Sequence, residues 1–267
     1  MIAEGSQPPT HGREHRRRSV TTPDTYRASA ADSPAGTTGR RTAGRTATGL
    51  EGGVERAAAV LKPRMRGWLH AGMFPLSLAG GVVLIALSRS AAAVAACSAY
   101  ALSACLLFGT SALYHRRNWG PRGEAVLRRL DHANIFLIIA GTYTPLAVLL
   151  LPARPQVVLL SLVWAGAAAG VAFRVWWIRA PRWLYTLCYI VLGWAAVFYL
   201  PEFTRTGGAA VVVLLIVGGL LYTAGAVVYG VKRPDPWPRW FGFHEVFHTF
   251  TIAAFIAHYT AILLAAT

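Results

Sequence analysis

The sequence contains few acidic residues: 11 Asp and Glu stand against 26 Lys and Arg in 267 residues. Only five carboxylates follow residue 66, namely Glu124, Asp131, Glu202, Asp235 and Glu245. So few carboxylates over some 200 residues exclude an ordinary water-exposed surface for this part of the chain. Each remaining carboxylate is therefore a candidate for a specific structural or chemical role.

Cysteine is scarce as well. The three cysteines, Cys97, Cys105 and Cys188, all fall inside apolar runs and show no C-x-x-C spacing. This pattern excludes a disulfide framework and a cysteine-based metal site. We expect the three to be small core residues.

Long apolar runs are abundant, and 55% of the residues are hydrophobic. A run of roughly 20 apolar residues spans the hydrocarbon core of a bilayer. In lipid such a run forms a helix, because a helix satisfies its own backbone hydrogen bonds. The sequence therefore predicts an all-α integral membrane protein with seven transmembrane helices, at about 69–88, 91–114, 131–151, 156–173, 184–200, 209–230 and 244–265.

The chain divides into a polar N-terminal part and this apolar part. Residues 1–58 are rich in Ser, Thr, Gly, Pro and Arg without periodicity, which predicts a disordered basic cytoplasmic tail. Residues 59–267 are expected to form the seven-helix transmembrane domain. The net charge of +15 does not indicate nucleic-acid binding, because no folded basic face with interleaved aromatic residues accompanies it. Membrane lipids are the expected partners.

The cations predict the orientation of the helices. With the N-terminus in the cytoplasm, the inner loops carry eleven Lys and Arg residues and the outer loops only Arg89, Arg154 and Arg205. Cytoplasmic loops are enriched in Lys and Arg. The sequence therefore predicts a cytoplasmic N-terminus and a C-terminus outside.

One short motif opens the last run. The stretch FHEVFHTF contains His244, Glu245 and His248 in H-E-x-x-H spacing, which on a helix places both imidazoles on one face. His115 ends the second run, four residues after Ser111, and in the predicted orientation shares the depth of the motif. Three imidazoles with one open position are typical of a catalytic zinc site.

Asp131, at the start of the third run, lies at the same predicted depth and could orient a water or take its proton. Alternatively, it begins the third helix, where a carboxylate favours the positive end of the dipole. Ser111 could simply bond to a helix carbonyl. Glu245 is either a general base or, as we favour, the partner of an inner-loop arginine. We leave His70, His132 and His258 out because no partner stands at matching spacing, and His11 and His15 because they lie in the tail.

These motifs also carry a resemblance. The segments KPRMRGWLH, SALYHR, LDHANIFLIIAGTYTP and HEVFH, the last followed by HY, resemble the hemolysin III family. That family is related to the progestin and adipoQ receptors and, more distantly, to the alkaline ceramidases. The resemblance implies seven helices, a cytoplasmic N-terminus and a zinc ion held by His115, His244 and His248. It also implies that Asp131 and Ser111 flank the water on the metal.

The leading hypothesis is a zinc-dependent membrane hydrolase that cleaves an amide or ester bond in a lipid-like substrate, as ceramidases do, with Asp131 and Ser111 as catalytic residues. Two alternatives stay open. One is a membrane-perturbing, pore-forming protein, as the family name implies. The other is a lipid-sensing protein of membrane homeostasis in which zinc is structural.

Overall fold

A computed structural model describes residues 63–177 and 179–267 of the chain. These ranges contain seven α-helices, one 3-10 helix and no β-strand. The predicted tail, residues 1–58, lies outside the described residues. In chain order the α-helices are α1 (Trp68–Leu87), α2 (Ala91–Arg116), α3 (Pro121–Leu150), α4 (Ala153–Trp176), α5 (Arg182–Gly193), α6 (Leu200–Val231) and α7 (Phe243–Ala266).

The helices have the length and surface of a membrane protein. Six stretches of the described chain are long and apolar enough to cross a bilayer, and α5 and α6 lie together in one of them, Arg182–Val231. Large apolar side chains cover the outside of the described bundle, as lipid contact requires; Leu76, Val82, Val157, Val191 and Phe198 are among them. The all-α class is confirmed. Seven crossings and the orientation of the termini stay predictions.

Helix α3 begins ten residues before the apolar run that predicted it. Pro121 occupies its first turn, where a missing N–H costs nothing, and Glu124 lies beside the positive end of the dipole. Hydropathy detects only the apolar part of this 30-residue helix. Asp131 therefore lies inside the helix, and the alternative that it begins the helix is wrong.

The fifth apolar run, predicted as one helix over about residues 184–200, is not a continuous α-helix. Helix α5 ends at Gly193, and a 3-10 turn, Ala195–Tyr199, leads into α6. Within α6, Gly208 has φ +78°, a conformation that residues with a side chain rarely adopt, and it kinks the helix. The apolar run predicted to start at residue 209 thus begins directly after this kink.

Small residues allow the core helices to approach closely. A Cβ at Gly170 would lie 2.4 Å from the ring of Phe136, so α3 and α4 meet where only glycine fits. All three cysteines are free; Cys97 is fully buried, as expected of a core residue, whereas Cys105 and Cys188 are half-buried.

Candidate metal centre

Three histidines from two helices converge at one end of the described bundle. His115 lies in the last turn of α2, while His244 and His248 lie one turn apart at the start of α7. One ring nitrogen from each lies within 4.8 Å of the others. The Nε2 atoms of His244 and His115 are 3.1 Å apart. We call this end of the bundle the histidine end.

The spacing of these nitrogens fits a single metal ion. Zinc–nitrogen bonds of 2.0–2.1 Å on a tetrahedron separate two ligand nitrogens by about 3.3 Å. The observed 3.1 Å is close to this value. Neutral imidazoles suit zinc, copper, nickel and iron better than magnesium or calcium. The three histidines, which sequence spacing singled out as ligands, could therefore hold one transition-metal ion.

The polar pair Ser111 and Asp131 flanks the histidines. Asp131 Oδ2 lies 3.8 Å from His115 Nε2. The Ser111 hydroxyl is buried and faces the Asp131 carboxyl group, but it makes no hydrogen bond of ordinary length. The alternative that Ser111 bonds to a helix carbonyl is therefore wrong. The structure brings all five predicted site residues to the histidine end.

Glu245, the central acid of the H-E-x-x-H motif, has both carboxylate oxygens engaged. Arg66 donates from Nε to Oε1, and the Gly242 N–H donates to Oε2 over 2.9 Å. The side chain is fully buried. Pairing with an arginine is confirmed, but the partner precedes α1 and does not come from a loop between helices. Glu245 thus caps α7 and ties it to the start of the bundle.

A short segment, residues 63–67, packs against the histidine end. The N–H of Arg64 donates to the Arg239 carbonyl over 3.0 Å, and that of Met65 donates to the Trp240 carbonyl over 3.1 Å. Gly67 has φ +79°, and a Cβ there would lie 2.8 Å from the Cβ of His115. The backbone at Gly67 therefore packs closely against His115, one of the candidate ligands.

Replacing Gly67 with alanine is expected to destabilise the protein by about 2 kcal/mol, since the left-handed backbone and the added methyl group both cost free energy. It should also displace His115 and weaken metal binding. Both effects are measurable as the melting temperature and the metal content of purified protein. Gly72→Ala is the matched control in α1, because a Cβ there meets nothing within 4 Å. Equal metal content in the two variants would contradict the contact with His115.

Two further histidines lie at this end although spacing gave no reason to include them. The ring of His70, in the first turn of α1, stacks on that of His248 at 3.8 Å and 11°. His132 Nδ1 lies 3.9 Å from Asp131 Oδ2, and its Nε2 hydrogen-bonds the Tyr229 hydroxyl. The predicted depth in the membrane is the signal that could have found them, because α1 and α7 start at the same end of the bundle. His258 lies ten residues beyond His248, away from the three histidines.

An elongated cavity leads away from the histidines. Ser111, Asp131 and His248 line one end, and Leu146 and Leu200 line the other. From Asp131 to Leu146 the helical rise gives a length of about 22 Å. The cavity has a solvent-accessible volume of about 150 Å³, and its wall is mostly apolar. Its shape suits an acyl chain with a polar group at the histidine end.

The fold and its apolar surface define a multi-pass integral membrane protein with a three-histidine group at one end of the helices. Residues 58–259 match the family model described as Haemolysin-III related, and the chain therefore belongs to that family. It is 32% identical to Hemolysin-3 of Bacillus cereus over 163 residues, which cover 61% of this chain and 71% of the relative. It is 28% identical to the Hemolysin-3 homolog of Bacillus subtilis (strain 168) over 164 residues, or 61% of this chain and 74% of that relative.

Proposed function

We propose that this protein is a zinc-dependent membrane hydrolase that cleaves an amide or ester bond in a lipid-like substrate. One observation carries the proposal: a three-histidine group with an adjacent carboxylate stands at the polar end of a long apolar cavity. Open three-histidine sites are typical of catalytic zinc. A purely structural zinc site is usually closed by a fourth protein ligand.

His115, His244 and His248 would hold the zinc ion. Zinc in such a site supplies Lewis-acid chemistry, activating water as a nucleophile and polarising a carbonyl group. Asp131 accepts the proton of the attacking water at its carboxylate and returns it to the leaving nitrogen or oxygen. The buried Ser111 hydroxyl has no hydrogen-bond partner within the described chain and would donate to the substrate.

The cavity binds the acyl chain and limits the entry of water. Its apolar wall begins next to Asp131 with Ile135, Ile138 and Ile139 from successive turns of α3. An acyl chain that enters from the bilayer is already in an apolar environment, so its binding depends on van der Waals packing in the cavity. The bound acyl chain would place the carbonyl carbon of the substrate at the histidine end, beside the residues proposed for catalysis.

The test uses purified protein loaded with zinc, incubated with ceramides, N-acyl amides and acyl esters of several chain lengths. Released fatty acid is measured by mass spectrometry. Time-dependent, zinc-dependent release from at least one lipid is expected, and its loss in Asp131→Asn protein assigns the activity to this site. Stoichiometric zinc without release from any lipid would instead favour a structural metal and a lipid-sensing protein.

A second candidate function is membrane permeabilisation, which the names of the two Bacillus relatives favour. The discriminating experiment measures dye leakage from liposomes on addition of the protein. Leakage that persists in the Asp131→Asn variant would support a pore, because a pore does not need a general base. The hydrolase proposal predicts no leakage from liposomes that lack a cleavable lipid.

A further inference from the structure

His70 is a buried histidine that neither the metal group nor the polar pair accounts for. It lies in the first turn of α1 and is 3% exposed. It lines the cavity together with Ser111, Asp131 and His248. Neither of its ring nitrogens makes a hydrogen bond within the described part of the chain. A buried polar group without a partner destabilises a fold, so this side chain needs an explanation.

Packing alone does not provide that explanation. The ring stacks on His248 at 3.8 Å and meets Phe108 edge-on at 5.1 Å. A phenylalanine would make both contacts without leaving two polar atoms unsatisfied. The two unpaired ring nitrogens are available to hydrogen-bond a group that enters the cavity.

We propose that His70 binds the polar head of the acyl ligand by donating a hydrogen bond to its carbonyl or carboxylate oxygen. The inference rests on the proposed function, since it takes an acyl chain as the occupant of the cavity. A neutral imidazole has one N–H donor and one acceptor nitrogen. Through the donor, His70 fixes the acyl oxygen beside the three histidines, where the carbonyl carbon has to lie for attack.

The expected consequence is a trade-off between stability and binding. His70→Phe should raise the melting temperature of the ligand-free protein by about 2–4 °C, because two unsatisfied atoms are removed. The same substitution should weaken acyl binding about tenfold, because a hydrogen bond to the ligand is lost. A residue that merely packs would show the gain in stability but no loss of acyl binding.

The experiment measures binding of octanoate to the zinc-loaded full chain in lipid nanodiscs by calorimetry. Wild type, His70→Gln and His70→Phe are compared, with His70→Leu as a smaller apolar variant should phenylalanine not fit. Glutamine restores a donor but cannot stack, so the inference predicts affinity in the order wild type, Gln, Phe. A stacking role predicts that Phe binds better than Gln.

Two controls accompany the series. Zinc stoichiometry is measured for every variant, since loss of zinc in His70→Phe would make His70 a support for His248 and overturn the inference. Thr249→Ala is the control, because Thr249 is an exposed neighbour of His248 on α7 and does not line the cavity. Octanoate should bind this variant as it binds wild type.

The outcomes separate this inference from the proposed function. If no lipid is cleaved but octanoate affinity follows the order wild type, Gln, Phe, the inference stands and the hydrolase proposal fails. If lipids are cleaved but octanoate affinity is equal in all His70 variants, the inference fails alone. Failure of the wild-type protein to bind octanoate saturably also overturns it.

Discussion

His248→Ala protein is expected to lose its metal. Two ligands remain after the substitution, and removal of one ligand of three should weaken zinc binding more than about 100-fold, beyond what loss of a supporting hydrogen bond costs. His248 is buried beside His115 and His244. Zinc content after dialysis, measured by mass spectrometry, should fall from near one equivalent to background.

The same substitution should make the stability of the fold independent of zinc. At a free zinc concentration 100 times the dissociation constant, binding stabilises the wild-type fold by about 2.7 kcal/mol. This corresponds to a rise of roughly 5–10 °C in the melting temperature for a chain of this size. The melting temperature of the His248→Ala variant should not respond to zinc or to a chelator.

Two controls make this result specific. His115→Ala removes a ligand on the other helix and should give the same loss of zinc, although it leaves a different gap in the packing. Thr249→Ala changes the neighbouring exposed residue in α7, whose hydroxyl donates to the Glu245 carbonyl, and should keep its zinc. Full zinc content in both histidine variants would refute the proposed metal centre.

Asp131→Asn protein is expected to keep its zinc and lose its activity. The amide has the shape of the carboxylate but cannot accept the proton of the attacking water. General-base catalysis contributes roughly 10²–10⁴-fold, so the rate of lipid cleavage should fall about 1000-fold. Zinc should stay bound, because Asp131 lies 3.8 Å from His115 and outside the three-histidine group.

The measurement is the turnover rate on whichever lipid the panel identifies, paired with zinc content for each sample. Glu124→Gln is the matched control, since it neutralises an exposed carboxylate in the first turn of the same helix. That variant should be fully active. If Asp131→Asn retained wild-type turnover with zinc bound, another residue would have to act as the base.

Much of this architecture is predictable from the sequence because lipid imposes simple demands on it. Apolar runs located the helices to within a few residues at α1, α2 and α7. They failed at α3, whose first ten residues are polar, since helical backbone continues where hydropathy does not. They also missed the 3-10 turn inside the fifth run and the kink at Gly208 directly before the sixth.

For the site, spacing located the residues that repeat along one helix, namely Ser111 with His115 and His244 with His248. It could not locate His70, because the contact with His248 joins the first helix to the last. Nor could it give the partner of Glu245, which is Arg66 from the segment before α1. Contacts between residues that are distant in sequence produce no periodic pattern, so they are seen only in the folded structure.

The separation of the ligands along the chain has a consequence for biosynthesis. His115 and His244 are 129 residues apart, and the second lies at the start of the last helix. A nascent chain that has inserted its first six helices therefore has no complete set of ligands. At the proposed metal centre, capture of the ion therefore requires α7, and a truncated or incompletely inserted chain is expected to stay metal-free.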